Sequence, residues 1–305
     1  DRGLCRTFDV DPAKLPRIVE PQAVVGELTP GMARRCRLRA GVPVVAGCGD
    51  TAASFLACGA TREGVCVDVA GTASVFAATT KTFSADTKHE LLGWGRSATP
   101  GLWHPYGYIN GGGMNLEWFR TELGGSKKMT FDDLNALASA VEPALDDPIF
   151  VPHFGGRVSP SSPDLRGSWA GLTWSHTREH LYRAVLESVA LEYGIYRDVL
   201  TELVDGMTLR EVRVTGGGEK SALWNQIKAD VLGARVVKVT RSEGAPLGAA
   251  LLAGYGVGMF RSLNATAGRW IGTAAPARPD RSLRAHYDKR QERYRGLLDA
   301  LHTWE

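Results

Sequence analysis

At 305 residues and 44% hydrophobic content, the chain can hold one large domain or two ordinary ones around a packed core. Its 36 Lys plus Arg against 33 Asp plus Glu leave a formal charge of +3, dispersed rather than gathered into a run, which argues against a nucleic-acid partner. No apolar stretch approaches the ~20 residues needed to cross a bilayer, and the N-terminus lacks a charged-then-apolar leader pattern, so a cytoplasmic protein with no membrane partner is expected.

Cysteine usage points the same way. Cys5, Cys36, Cys48, Cys58 and Cys66 form no CxxC pair and several lie in apolar runs, so reduced, mostly buried thiols and no zinc site are expected. The chain opens on Asp-Arg-Gly-Leu-Cys rather than Met and soon reaches Pro12, Pro16 and Pro21, as if it began inside a longer sequence.

In chain order, Val42 to Ala46 is an apolar run ending in Gly47-Cys48-Gly49-Asp50, followed by a small-residue helix from Thr51 to about Gly59. Asp50 is thus expected on a glycine-flanked turn at the C-terminal edge of a strand, where functional carboxylates are often placed. Val65 to Ala70, the turn Gly71-Thr72, and Ala73 to Thr79 read as a β-hairpin, with Glu63-Gly64 marking the start of a second unit. Strands are expected near Leu91–Trp94, Trp103–Ile109 and Ile149–Val151, and helices near Asn115–Glu122 and Phe131–Ala140. Pro152 to Ser168, rich in Pro, Ser and Gly, reads as an ordered loop or a lid.

Trp169, Gly171 and Leu172 then suggest a short strand. Leu181, Val185, Val189, Tyr193, Tyr196 and Leu200 recur at three- and four-residue steps, predicting a long helix with one buried stripe. Arg178, Glu179 and Arg183 fall on its polar face, and Trp118, Trp169 and Trp224 read as core. Glu211 to Thr215 forms a strand entering Gly216-Gly217-Gly218, and Ser221 to Leu232 the next helix. Arg235 to Thr240, Gly248 to Gly256 and Ser282 to Leu301 give a strand and two helices. This order of elements is what a mixed sheet flanked by helices, of the actin-like, ribonuclease-H-like α/β kind, requires, although alternation alone would also permit other α/β sheets.

Three glycine-rich turns therefore follow apolar strands: Gly71-Thr72, Gly111-Gly112-Gly113 and Gly216-Gly217-Gly218. Without a Cβ the backbone can approach a phosphate or a base closely, although a lone triple glycine is commonly only a tight turn. Neither triplet fits GxxxxGK[ST] or GxGxxG, which disfavours a P-loop or Rossmann site. Asp50 is either a functional carboxylate or a cap on the helix starting at Thr51. His153 and Arg157 either meet a phosphate or are solvated in their loop.

The order of these segments resembles the FGGY carbohydrate kinases. The resemblance rests on Asp68-Val-Ala-Gly-Thr-Ala-Ser, on Asn110 through Trp118, on the loop with Arg157 and Pro160, on Gly167-Ser-Trp-Ala-Gly-Leu with the following His-Leu-Tyr-Arg-Ala-Val-Leu-Glu, on Thr215 through Asp230, and on Gly248-Ala-Ala. It covers about Pro12 to Gly258. It implies an actin-like fold and transfer of the ATP γ-phosphate to a sugar or polyol hydroxyl, with Mg²⁺ bridging the phosphates and its protein ligands unassigned. By the same similarity Thr72 would bond the β- and γ-phosphates, Gly71 would belong to the same turn, Gly113 would line the nucleotide path, Gly217, Gly218 and Ser221 would frame the adenine, and Asp50 would be the base. A homodimer formed through the second domain is also what the resemblance implies.

Where the family begins with a complete first domain, this chain has only residues 1–60 before the ATP-binding part at 61–305. Roughly one domain, on the order of 200 residues, is expected to be missing, and the isolated chain is expected to bind ATP weakly and phosphorylate nothing. Thr51 stands where the xylulokinase-like branch often has Asn, so D-xylulose is a preference among ketoses and polyols. A non-catalytic actin-like ATP-binding module is the alternative; a ribonuclease-H-like nuclease would need clustered acidic metal ligands that the sequence does not supply.

Overall fold

The computed structural model describes residues 1–125, 129–240 and 244–302. Helix α1 (Arg2–Thr7), strand β1 (Val24–Glu27), helix α2 (Pro30–Cys36), strand β2 (Pro43–Val45) and helix α3 (Asp50–Ala57) come first. β1 and β2 pair antiparallel and are largely exposed. The apolar run Val42–Ala46 is therefore an exposed ribbon, and it ends four residues before Asp50.

The hairpin of β3 (Val65–Ala70) and β4 (Ser74–Ala77) opens the main sheet and is followed by β5 (Gly93–Arg96) and β6 (Trp103–Ile109). Then come α4 (Gly112–Trp118), which runs into a π-helical turn at Phe119–Leu123, α5 (Phe131–Ser139), and the separate antiparallel pair β7 (Ile149–Val151) and β8 (Ser168–Ala170). The long α6 (Arg178–Leu203), β9 (Glu211–Thr215), α7 (Ala222–Leu232), β10 (Arg235–Lys238), α8 (Ala245–Gly256), α9 (Leu263–Trp270) and α10 (Arg284–His302) complete the chain. The six-stranded sheet has the order β10-β9-β3-β4-β6-β5, with β10, β9 and β3 parallel and the remaining neighbours antiparallel. This is the mixed sheet of the expected fold.

Alternation along β3 divides the interior into two cores. Cys66 and Ala70 join Phe76, Ile109, Val212 and Val214 beneath α6 and α7, whereas Val67 and Val69 face Phe55 and Leu56 of α3 and Leu251 and Leu252 of α8. Residues 50–57 are thereby packed onto the sheet's second face.

α6 departs from the single-stripe expectation, because every residue from Tyr182 to Tyr196 is buried. One side lies on the sheet, with Tyr193 against Phe76 at a ring separation of 4.8 Å. The other is covered by α10, whose Tyr287, Arg290, Gln291, Tyr294 and Leu298 recur at helical spacing. A helix sandwiched between layers must pair its charges. Arg183, expected on a polar face, is buried and donates from Nε to Glu187 Oε1 at 3.0 Å, while Arg290 donates to Glu187 Oε2 at 2.7 Å.

Other expectations are corrected. Leu172 is exposed beyond the end of β8, where Gly171 turns the chain at φ +82°. Trp118 is exposed rather than core; Trp169 is half-buried and Trp224 buried. Only Cys58 and Cys66 are buried, Cys36 and Cys48 are exposed, and none of the five is in a disulfide. The Pro152–Ser168 segment is a packed loop held by His153 and Arg157, both buried against Glu192, so these two residues neither meet a phosphate nor stay solvated.

His104 of β6 is buried edge-on to Phe55, with Nδ1–H donating to the Ala78 carbonyl at 3.1 Å. Burial depresses its pKa from 6.5 to about 4, against the opposing pull of that carbonyl. A depressed pKa means that stability is full above the unfolded value and falls as pH drops through 6.5 towards 4, here by about 3 kcal/mol. Urea titrations at pH 7 and pH 4 should record this loss in the wild type. His104→Gln should shrink it; an equal loss in both proteins would assign the pH dependence to other groups.

Candidate functional site

The end of β3 and the start of α4 are built against each other. Gly71 N–H donates to the Ala73 carbonyl at 3.0 Å, closing the hairpin turn, and the turn's outward carbonyls then serve as a helix cap. Gly113 N–H donates to Gly71 O at 2.9 Å and Met114 N–H to Thr72 O at 3.0 Å. The residue preceding α4 is Gly111, whose side chain can cap nothing, so the hairpin satisfies those orphan donors. The approach requires glycine: a Cβ on Gly113 would stand 2.4 Å from Gly71 O.

The third turn closes the same space. Gly216 adopts φ +92°, ψ −172°, and Gly217–Lys220 form one 3₁₀ turn. Ser221 then caps α7, its Oγ accepting from Trp224 N–H at 3.1 Å. A Cβ on Gly218 would lie 2.5 Å from Trp224 Cζ3 and 2.7 Å from Ala70 Cβ, so the glycine lets this turn, the indole and the end of β3 meet. The indole itself is buried and anchored by its Nε1–H to Leu186 O at 2.9 Å.

Between these turns lies a cleft of about 910 Å³. Gly71, Thr72, Gly113, Gly217, Gly218 and Ser221 all line it, so six of the seven residues singled out in the sequence come together. Asp50 is not among the lining residues. It is exposed in the first turn of α3, where Oδ1 accepts from Thr51 N–H at 2.7 Å. The N-cap position belongs to Gly49, so Asp50 takes up one orphan donor from inside the helix rather than acting as its cap residue.

The cleft has a wall that sequence patterning missed. Phe131, Asn135, Tyr182 and Leu186 supply an apolar side with few polar atoms, and Tyr182 Oη–H donates to Asn135 Oδ1 at 3.4 Å. Burial raises the Tyr182 hydroxyl pKa, leaving it a neutral donor. Phe131 could have been suspected, since an aromatic residue opening a helix after a Thr cap has no core position assured. The others converge only through packing of α5 on α6.

Charge in the cleft is sparse. Lys220 is the only cation among its described lining residues, and the acids are Glu117 and Asp132. Glu117 is held by Arg120, whose guanidinium lowers its carboxyl pKa. Volume and composition suit a ligand with a flat apolar part and a polyanionic part, the glycine backbone admitting the latter closely. Among the described residues, no three His, Cys, Asp or Glu side chains are grouped so as to hold a metal ion, and no helix is long and apolar enough to cross a membrane.

Residues 66–257 match the C-terminal domain of the FGGY family of carbohydrate kinases. Similar curated proteins include the gluconokinase of Bacillus subtilis strain 168, 30% identical over 276 residues covering 87% of this chain and 53% of the relative. The glycerol kinase of Bordetella parapertussis is 31% identical over 299 residues, covering 95% and 56%. The xylulose kinase of Lactococcus lactis is 29% identical over 259 residues, covering 85% and 51%. The chain thus spans about half the length of the curated relatives it matches. Among solved structures, the xylulose kinase from Rhodospirillum rubrum is similar with a TM-score of 0.90 at 29% identity, over 99% of this chain and 60% of that chain.

Proposed function

The chain belongs to the FGGY family of carbohydrate kinases, and from that premise we propose that its cleft holds ATP and directs the γ-phosphoryl group to a hydroxyl of a sugar or polyol. The observation that carries this reading is the meeting of three glycine turns, distant in sequence, around one cleft.

The roles follow from what each element offers. The base lies against Gly217, Gly218 and Ser221, with the Phe131 and Leu186 side as its apolar cover. The phosphates run past Gly113 to the Gly71-Thr72 turn, where the Thr72 hydroxyl donates to the β- and γ-phosphates. Lys220 is the one cation among the described lining residues, so Mg²⁺ bound with the nucleotide would supply the remaining charge neutralisation. Phosphoryl transfer then asks of the protein mainly positioning and one proton acceptor. Asp50 fills that last role: an exposed carboxylate on a rigid helix, outside the nucleotide cleft and open to an acceptor presented from the other side.

Because the relatives are about twice as long, the reaction is placed in a protein that joins these residues to the remaining half of that length. Residues 1–60 then belong with the sugar-binding lobe and 61–305 form the ATP-binding lobe, and the 305 residues alone bind ATP without phosphorylating a sugar. Among acceptors, D-xylulose is favoured by the match of 99% of this chain to 60% of a xylulose kinase structure, with gluconate and glycerol as the competitors named by other relatives. A second reading, a non-catalytic ATP-binding module, is favoured by one observation only, that Asp50 stands outside the cleft wall.

The test is coupled detection of ADP release by the full-length protein over a panel of ketoses, aldonates and polyols. One panel member should raise ADP production well above the sugar-free rate. A flat panel would overturn the kinase reading in favour of the binding module.

A further inference from the structure

Beneath the cleft lies a charged pair that the proposed reaction does not use. Asp68 of β3 and Lys228 of α7 are both 0% exposed and hydrogen-bond directly, Lys228 Nζ donating to Asp68 Oδ2. The other carboxylate oxygen, Oδ1, accepts from Tyr193 Oη–H of α6 at 2.7 Å. The ammonium also rests 3.8 Å from the centre of the Trp224 ring, one helical turn earlier on α7. Burial lowers the Lys228 pKa while Asp68 pulls it back up.

Such a pair adds little stability over an apolar filling of equal volume, since the cost of desolvating both charges offsets their attraction. What it adds is direction. Each Asp68 oxygen is taken by a different helix, which fixes β3 along its length in a way that apolar side chains, free to slide, do not. The two ends of this link are the two halves of the cleft. Asp68 lies three residues before Gly71, at the phosphate turn. Lys228 sits under the indole that packs on Gly218, at the base turn, and Gly218 in turn lies against Ala70 at the end of β3.

We propose that Asp68 and Lys228 are positioning residues that set the spacing between the phosphate turn and the base turn, so that one nucleotide engages both. The proposal rests on the assignment of the cleft to ATP. It predicts an effect on ligands that span the turns and none on ligands that occupy one of them, a distinction that a merely structural role would not make.

The experiment compares ADP with adenosine by isothermal titration calorimetry, in the wild type and in Asp68→Asn/Lys228→Gln, which keeps a neutral hydrogen-bonded pair and an acceptor for Tyr193. The Kd for ADP should rise on the order of tenfold while that for adenosine changes little. Tyr193→Phe, which releases only one oxygen of Asp68, should move the ADP-to-adenosine ratio in the same direction by about two- to threefold, and it decides the matter if the double variant does not fold. Equal losses for both ligands, or an unchanged ratio, would overturn the proposal while leaving the cleft assignment standing. Absence of ADP binding by the wild type would remove the cleft assignment and this proposal together.

Discussion

Replacing Arg157 by methionine is expected to lower the unfolding free energy by about 3–5 kcal/mol, the cost of leaving one buried charge without its partner. The charge left behind is Glu192 in the middle of α6, 0% exposed, which accepts from Arg157 Nη2 at 2.7 Å and from Tyr294 Oη–H at 2.8 Å, with His153 Nε2 at 3.5 Å. Burial by itself would raise the carboxyl pKa. The Arg157 guanidinium, followed by His153 and Tyr294, outweighs it and brings the group down to about 2. The sign follows from that depression: the stabilisation is present above the ordinary value near 4.5 and is lost only as pH falls towards 2. The Arg157→Met deficit should therefore be constant between pH 5 and 8 in urea denaturation, and adding Glu192→Gln should recover part of it. A deficit under 1 kcal/mol, or no recovery in the double variant, would show that the loop and α10 are not tied together through this carboxylate.

Asp50→Asn in the full-length protein should lower kcat/KM by roughly 10²–10⁴, the usual worth of one positioned proton acceptor. Nucleotide affinity should hold, because Asp50 is not among the residues that line the cleft and its substitution leaves the glycine turns intact. Asparagine preserves shape and can still accept from Thr51 N–H, so the helix start is retained. The loss should fall on kcat rather than on the Kd for ADP. Turnover equal to wild type would remove Asp50 from the chemistry, and a parallel loss of ADP binding would assign it a structural part instead.

The hairpin, Trp103–Ile109, Ile149–Val151 and Glu211–Thr215 are legible in the sequence because short runs of β-branched and aromatic residues bounded by glycine or proline leave few other conformations. The six cleft residues were legible for a related reason. A glycine demanded by close backbone approach is a local requirement, visible where it occurs, as at Gly113 and Gly218. What periodicity could not reveal was a second layer. Arg183 and Arg157 look like solvent-facing charges until the Pro152–Ser168 loop, 35 positions before its contact on α6, and α10, more than 100 positions after, cover that helix from outside. The apolar wall from Phe131 to Leu186 was hidden in the same way, since it arises from helices packing together. Trp118 differs in the opposite direction: a large apolar side chain at the end of a short helix suggests core, yet it lies at the surface against Phe154 and Trp169.

Pairing of Asp68 with Lys228 belongs to the same class of hidden feature. Both residues sit in apolar stretches, Val65–Ala70 and Ala222–Leu232, where a charge signals either an exposed face or a buried partner. The two are 160 positions apart, and only the parallel pairing of β3 with β9 brings their elements together.

The most direct test is a crystal structure of these 305 residues with a non-hydrolysable ATP analogue. The base should lie against Gly217, Gly218 and Ser221, and the phosphates at the Gly71-Thr72 turn beside Gly113. Nucleotide bound at any other surface, or a cleft left empty at saturating analogue, would contradict the assignment.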